Sequence, residues 1–213
     1  MPQPKHVMAL PAPSDAALER TLEPGLKKYF GICREKLGLL PNVLRSYAFR
    51  PRKLSNFINT YNELMLGESG LSKLEREMIA VVVSSANHCY YCLVAHGQAV
   101  RELSGDPELG EMLAFNYRVA ELPRRQRVML DFAHKLTVAP ATIDEADRAA
   151  LRRVGFSDAE IFDIADTVGF FNMSNRVATA LDMMPNPEYH ARNRTPAAPA
   201  EAPKRPATRR KSP

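Results

Sequence analysis

With 213 residues, 45% of them apolar, the chain can build one domain with a real core, and no apolar run approaches the roughly 20 residues that a membrane-spanning helix needs. The formal charge of +5 is misleading as a property of the whole. From His190 to Pro213 there are seven Lys or Arg against the single acid Glu201, so the tail carries +6 and the remainder is at −1. A basic nucleic-acid-binding domain is therefore not indicated, and specific nucleic-acid binding is not expected.

Residues 1–13 are proline-spaced and read as a loose segment. Pro2, Pro4, Pro11 and Pro13 break up the charged-then-apolar order of a signal peptide. Three cysteines, one of them unpaired in any disulfide scheme, also suit a reducing compartment, so a cytoplasmic location is the expectation. Residues 14–189 read as one helical domain. Ser14 caps a short helix carrying Ala17 and Leu18. Pro24 opens a helix through Leu37 that Gly38 stops, with Leu26, Tyr29, Phe30, Cys33 and Leu37 facing inward. Cys33 has no partner at motif spacing and reads as a small buried residue.

Pro41-Asn42 starts a short helix through Ala48, and Pro51 another carrying Leu54, Phe57, Ile58, Tyr61, Leu64 and Met65. Gly67 to Gly70 breaks it. Ser72 with Glu75 is a capping box that fixes the next start, and that helix runs to about Asn87. A further helix begins near Cys89 and ends near Ser104-Gly105. Asp106-Pro107, Pro123, and Thr142 or Asp144 mark three more starts. Ser157 with Glu160 is a second capping box, heading an apolar helix to about Met183 that Pro185 and Pro187 end. No stretch alternates as a strand, so the class is all-α. From residue 190 Pro, Ala and Arg dominate, and a disordered basic tail is expected over 190–213.

The chemistry concentrates between Glu77 and His96. Cys89 and Cys92 form a C-x-x-C pair and His96 follows four residues later. In a helix these spacings put all three on one face. A helix beginning near Cys89 places its partial positive charge beside a sulfur and favours the thiolate. His96 changes charge near neutral pH and can carry the proton. Glu77, a carboxylate on an apolar helix, needs a polar partner, which the thiol–imidazole cluster can supply. His88 and Tyr91 are candidates to assist, although a tyrosine exchanges no proton near neutral pH and packing suits it better. A zinc site using the same residues is the competing reading. Structural zinc usually takes more thiolates, and this chain has one pair with no second cluster, which favours redox chemistry.

Glu, eleven residues, Cys, two residues, Cys, three residues and His resembles the active-site pattern of the alkylhydroperoxidase AhpD-like group of the carboxymuconolactone decarboxylase superfamily. Leu39-Leu40-Pro41-Asn42-Val43-Leu44 and Glu75-Arg76-Glu77 are similar to its peroxidase-related branch. The resemblance spans roughly Leu37 to Tyr189. It implies an AhpD-like helical bundle, a homo-oligomer (trimer or hexamer) and thiol-dependent hydroperoxide reduction. It also implies the roles: Cys92 attacks the peroxide, Cys89 closes the disulfide, and Glu77 with His96 relays protons. An external dithiol, in the family a lipoyl group on a carrier protein, would reduce the pair, with no metal, flavin or haem. A general disulfide oxidoreductase and a non-catalytic redox-sensing oligomer are the alternatives. A decarboxylase-type lyase works without the cysteine pair, and Cys89 and Cys92 argue against it.

Overall fold

A computed structural model describes residues 4–195. Over them the chain forms α1 (Asp15–Thr21), α2 (Pro24–Leu37), α3 (Asn42–Tyr47), α4 (Pro51–Leu66), α5 (Lys73–Ala86), α6 (Tyr90–Ser104), α7 (Pro107–Asn116), α8 (Arg124–Val138), α9 (Glu145–Arg153), α10 (Asp158–Ala180) and α11 (Glu188–Ala191). Short 3-10 turns follow α7 and α8. Among the described residues there is no strand, in keeping with the all-α expectation, and no helix long and apolar enough to cross a membrane.

The starts follow side-chain chemistry. Both capping boxes close as read: Ser72 accepts from the Glu75 N–H and Ser157 from the Glu160 N–H, while each glutamate reaches back to the cap. Asp106 accepts from the N–H groups of Glu108 and Leu109 at the head of α7. Of Thr142 and Asp144, the latter caps α9.

Helix α5 is the centre. Met78 to Val83 are six consecutive buried residues, which is possible only when every side of a helix is covered. Helices α4, α6, α7, α8 and α10 supply that cover. Arg76 is buried on the same helix and donates to the carbonyls of Leu64 and Gly67, both at 3.0 Å. It therefore satisfies open acceptors at the α4 C-terminus, where a cation is favoured. Gly110 of α7 lets that helix approach α6 closely, since a Cβ there would lie 2.8 Å from the Gly97 carbonyl oxygen.

Four expectations need correction. Leu37 is 43% exposed, because α2 runs past the core by its last residue. Helix α10 stops at Ala180, before Met183, because Asp182 adopts a left-handed backbone (φ 47°) and turns the chain back. The returning segment binds the N-terminal segment: the Ala9 N–H donates to Leu181 O (2.8 Å) and the Met184 N–H to Val7 O (3.0 Å). That segment is consequently less loose than its prolines imply, and Met8 is buried. At the other end, packing continues past residue 190. Arg101 donates to the carbonyls of Tyr189 and Arg192, and Gln98 to Asn193. The rest of the expected disordered tail, 196–213, lies outside the described residues.

Candidate active site

The α5–α6 turn sets the site. Asn87 ends α5 and His88 takes a left-handed conformation (φ 53°), so the chain reverses within three residues. Cys89 is the N-cap of α6 and Cys92 lies in its first turn. The two helices then run side by side. This brings His96, in the second turn of α6, against Glu77 in the first half of α5: Nδ1 lies 2.7 Å from Oε2. Both side chains are nearly out of water, at 12% and 11% exposure. The carboxylate accepts, so Nδ1 carries the proton and Nε2 is left for exchange. The Phe171 ring meets the imidazole edge-on at 4.7 Å, which fixes its plane.

A cavity of about 290 Å³ adjoins this pair. Its walls include Glu77, Cys92, His96, Tyr61, Phe171 and Ser174. Cys89 is not on its wall, and both cysteines belong to a buried cluster with Met8, Tyr91, Ala178 and Met183. The thiols are reduced and buried. Their protons are unequal. The neighbouring Cys92 thiol and, with it, the Cys92 N–H, the Thr179 hydroxyl and the nearby His96 outweigh burial and push Cys89 down to about 6. Cys92 is held well above the ordinary thiol range by the neighbouring Cys89 sulfur, by burial and by the charge on Cys89. The pair thus loses one proton early and keeps the second.

Residues 52–129 match the model of the carboxymuconolactone decarboxylase family. The chain is 63% identical to an uncharacterized peroxidase-related protein from Silicibacter sp. TM1040, over 91% of this chain and 100% of that one, with a TM-score of 0.85. This chain belongs to the carboxymuconolactone decarboxylase superfamily, among its AhpD-like members. An uncharacterized peroxidase-related protein with an alkylhydroperoxidase AhpD core from Ralstonia eutropha JMP134 is 40% identical over 90% of this chain and 99% of its own, again with a TM-score of 0.85. The debrominase Bmp8 shares the fold at 21% identity and a TM-score of 0.70, over 88% of this chain and 96% of that one. No curated protein matches.

Of the AhpD-like pattern, the structure brings Glu77, His96 and Cys92 to one cavity, with Cys89 off its wall in the buried cluster that also holds Cys92. His88 is exposed on the turn and does not line the cavity. The Tyr91 hydroxyl accepts the Val43 N–H at 3.0 Å, and burial holds its proton well above the usual tyrosine range. It anchors α3 and exchanges no proton at neutral pH. Cys33 reaches the same cavity, but burial pushes its thiol up and keeps it unreactive. Among the described residues no three His, Cys, Asp or Glu side chains converge as a metal-holding group.

Sequence reading missed what α10 contributes to this AhpD-like site. Ser174 lines the cavity with Cys92, and Ser174 and Asn175 favour charge on Cys92 while Thr179 favours it on Cys89. Asn175 is 1% exposed and bonds Ser84 and Asn87, each at 3.0 Å. The signal was available. Asn172, Asn175 and Thr179 recur at helical spacing in a largely apolar helix, and a buried asparagine demands partners.

Proposed function

We propose that this protein is a dithiol-dependent peroxidase that reduces hydroperoxides through Cys89 and Cys92. One observation carries the reading: a thiol pair that ionises early has one sulfur, Cys92, on the wall of a largely apolar cavity beside the Glu77–His96 pair. His96 Nε2 takes the Cys92 proton. The thiolate attacks one peroxide oxygen, the S–O bond forms as O–O breaks, and the leaving alkoxide takes that proton back. Cys92 becomes a sulfenic acid and an alcohol leaves. The Cys89 thiolate then displaces hydroxide from the Cys92 sulfur, giving the disulfide and, with a proton, water. Glu77 orients the imidazole and supports the imidazolium between the two transfers. An external dithiol restores both thiols by two exchange steps, and in AhpD-like proteins a lipoyl group on a carrier fills that role.

The cycle so written needs no metal, flavin or haem. Assembly as a trimer or hexamer belongs to the same reading; Phe115 of α7 is 86% exposed, and association would cover such side chains. The test is steady-state hydroperoxide consumption with a dithiol, with mass spectrometry after a stoichiometric peroxide pulse. Turnover, a disulfide linking residues 89 and 92, and its loss in Cys92→Ser are expected. Full activity in Cys92→Ser refutes the mechanism, and a single oxidation without turnover replaces the enzyme with a sensor.

A further inference from the structure

A second cavity, of about 430 Å³, is larger than the catalytic one and has only Phe57 and Phe170 in common with it. Neither cysteine of the pair, nor Glu77, nor His96 reaches it. Helix α10 lends it Phe170, Met173 and Val177, an apolar stripe at helical spacing. Helix α4 adds Lys53, Asn56, Phe57 and Thr60 at the same periodicity. The N-terminal segment contributes Met8 and Leu10, which flank the Ala9 N–H that holds Leu181 O at 2.8 Å. Tyr47 ties two walls together: its ring stacks on Phe57 at 4.3 Å, and its hydroxyl lies 3.9 Å from the Met173 sulfur.

The charge in this lining is one-sided. Arg50 and Lys53 belong to it and no carboxylate does. Among the described residues neither cation forms an ion pair. Both stand at the start of α4, where Arg50 is the N-cap, no side chain caps the helix and the first turn holds no acid. The partial positive charge of that helix end adds to theirs. The Arg50 guanidinium lies 5.4 Å from the centre of the exposed Phe49 ring, so a cation and an apolar surface meet at the rim. An inorganic anion would use the cations and leave the apolar walls in water. A neutral hydrocarbon would do the reverse. A molecule with one anionic end and an apolar chain satisfies both.

We propose that this cavity binds a free single-chain fatty carboxylate, with its carboxylate at Arg50 and Lys53 and its chain along the α10 stripe of Phe170, Met173 and Val177. Three of the wall residues, Met8, Met173 and Met183, are methionines, whose flexible side chains adapt to a chain of changing length. The site is separate from the cysteine pair, and the proposal holds whether or not that pair reduces peroxides.

Calorimetric titration of the full-length reduced protein with octanoate, decanoate and laurate, each below its micelle concentration, tests this without peroxide. Each added CH₂ should tighten binding up to about fourfold until the chain fills the cavity. Dodecanol, with the chain of laurate and no charge, should bind roughly tenfold more weakly, since both cations are exposed and each contributes modestly. Arg50→Gln combined with Lys53→Gln should weaken laurate by the same factor and leave dodecanol unchanged. Met173→Trp, which fills the apolar end, should weaken both. Circular dichroism confirms folding; if Met173→Trp does not fold, the charge variant and the chain series decide. Absence of laurate binding to the wild type overturns the proposal. So does laurate binding that neither variant alters, which would place the ligand in the catalytic cavity. Sedimentation gives the last outcome: variants that dissociate an oligomer, with no laurate bound to any form, would make this face a contact between copies and overturn the proposal.

Discussion

The early proton of the cysteine pair sets a pH profile that can be calculated. An ordinary thiol here would titrate at 9.0, and Cys89 is lowered to about 6. A lowered value means thiolate above it and thiol below, so reactivity persists at neutral pH and falls tenfold per unit once the pH drops under about 6. At pH 7 the ionised fraction rises from about 1% to about 90%, a gain of roughly 90-fold. A less basic thiolate is a weaker nucleophile, by an exponent of about 0.4–0.5 per unit, which takes back roughly 20- to 30-fold over three units. The net gain over an ordinary thiol is about fourfold at pH 7, rises to about 40-fold at pH 5, and reverses to a roughly tenfold deficit at pH 9. Burial slows alkylation at every pH alike, so the shape carries the information. Iodoacetamide rates measured from pH 4 to 9 should show a midpoint near 6 and a plateau above about 7.5. Cys92→Ala removes the largest cause, and its midpoint should rise by one unit or more. A wild-type midpoint between 8 and 9, or an unmoved Cys92→Ala profile, refutes the reasoning.

Glu77→Gln keeps the shape of the relay but replaces a charge-assisted bond of 2.7 Å by a neutral one. The loss of about 1.5–3 kcal/mol should lower kcat/KM for a hydroperoxide about 10- to 100-fold, read in steady state, and an unchanged value would remove Glu77 from the mechanism. Gly110→Ala inserts a methyl 2.8 Å from the Gly97 carbonyl oxygen, between α6 and α7. It should cost about 1–3 kcal/mol and, at about 2–4 °C per kcal/mol, lower Tm measurably in calorimetry. An unaltered Tm would show that the two helices part without strain.

Much of the helical frame was legible because its boundaries are local. Ser72–Glu75 and Ser157–Glu160 close their caps through side chains three residues apart, so no tertiary information was needed. The same holds for Cys92 and His96, four residues apart on one face of α6, whereas Cys89 is the N-cap and stands outside the cavity lining. The end of α10 was not legible. Its stop depends on the left-handed turn at Asp182 and on two backbone bonds to Val7 and Ala9, more than 170 residues away in sequence. The burial of Met8 has the same origin: an extended segment shows no periodicity, and only its partner explains it. Continuation of the packed chain past residue 190 likewise depends on Arg101 and Gln98 of α6.

The same contrast runs through the site and bears on its chemistry. A C-x-x-C pair at a helix start lowers the proton affinity of its first sulfur by local means, since the cap position and the next-turn thiol come from the motif itself. The motif therefore fixes that the pair ionises, and it favours Cys89. It does not fix where the charge is used. That depends on what the packing of α10 against α5 and α6 brings near the sulfurs: Ser174 and Asn175 favour charge on Cys92, and Thr179 favours it on Cys89. Two proteins with an identical motif and different residues at these α10 positions should accordingly differ in their ionisation midpoint, because Thr179 helps lower Cys89 and Ser174 and Asn175 act on Cys92.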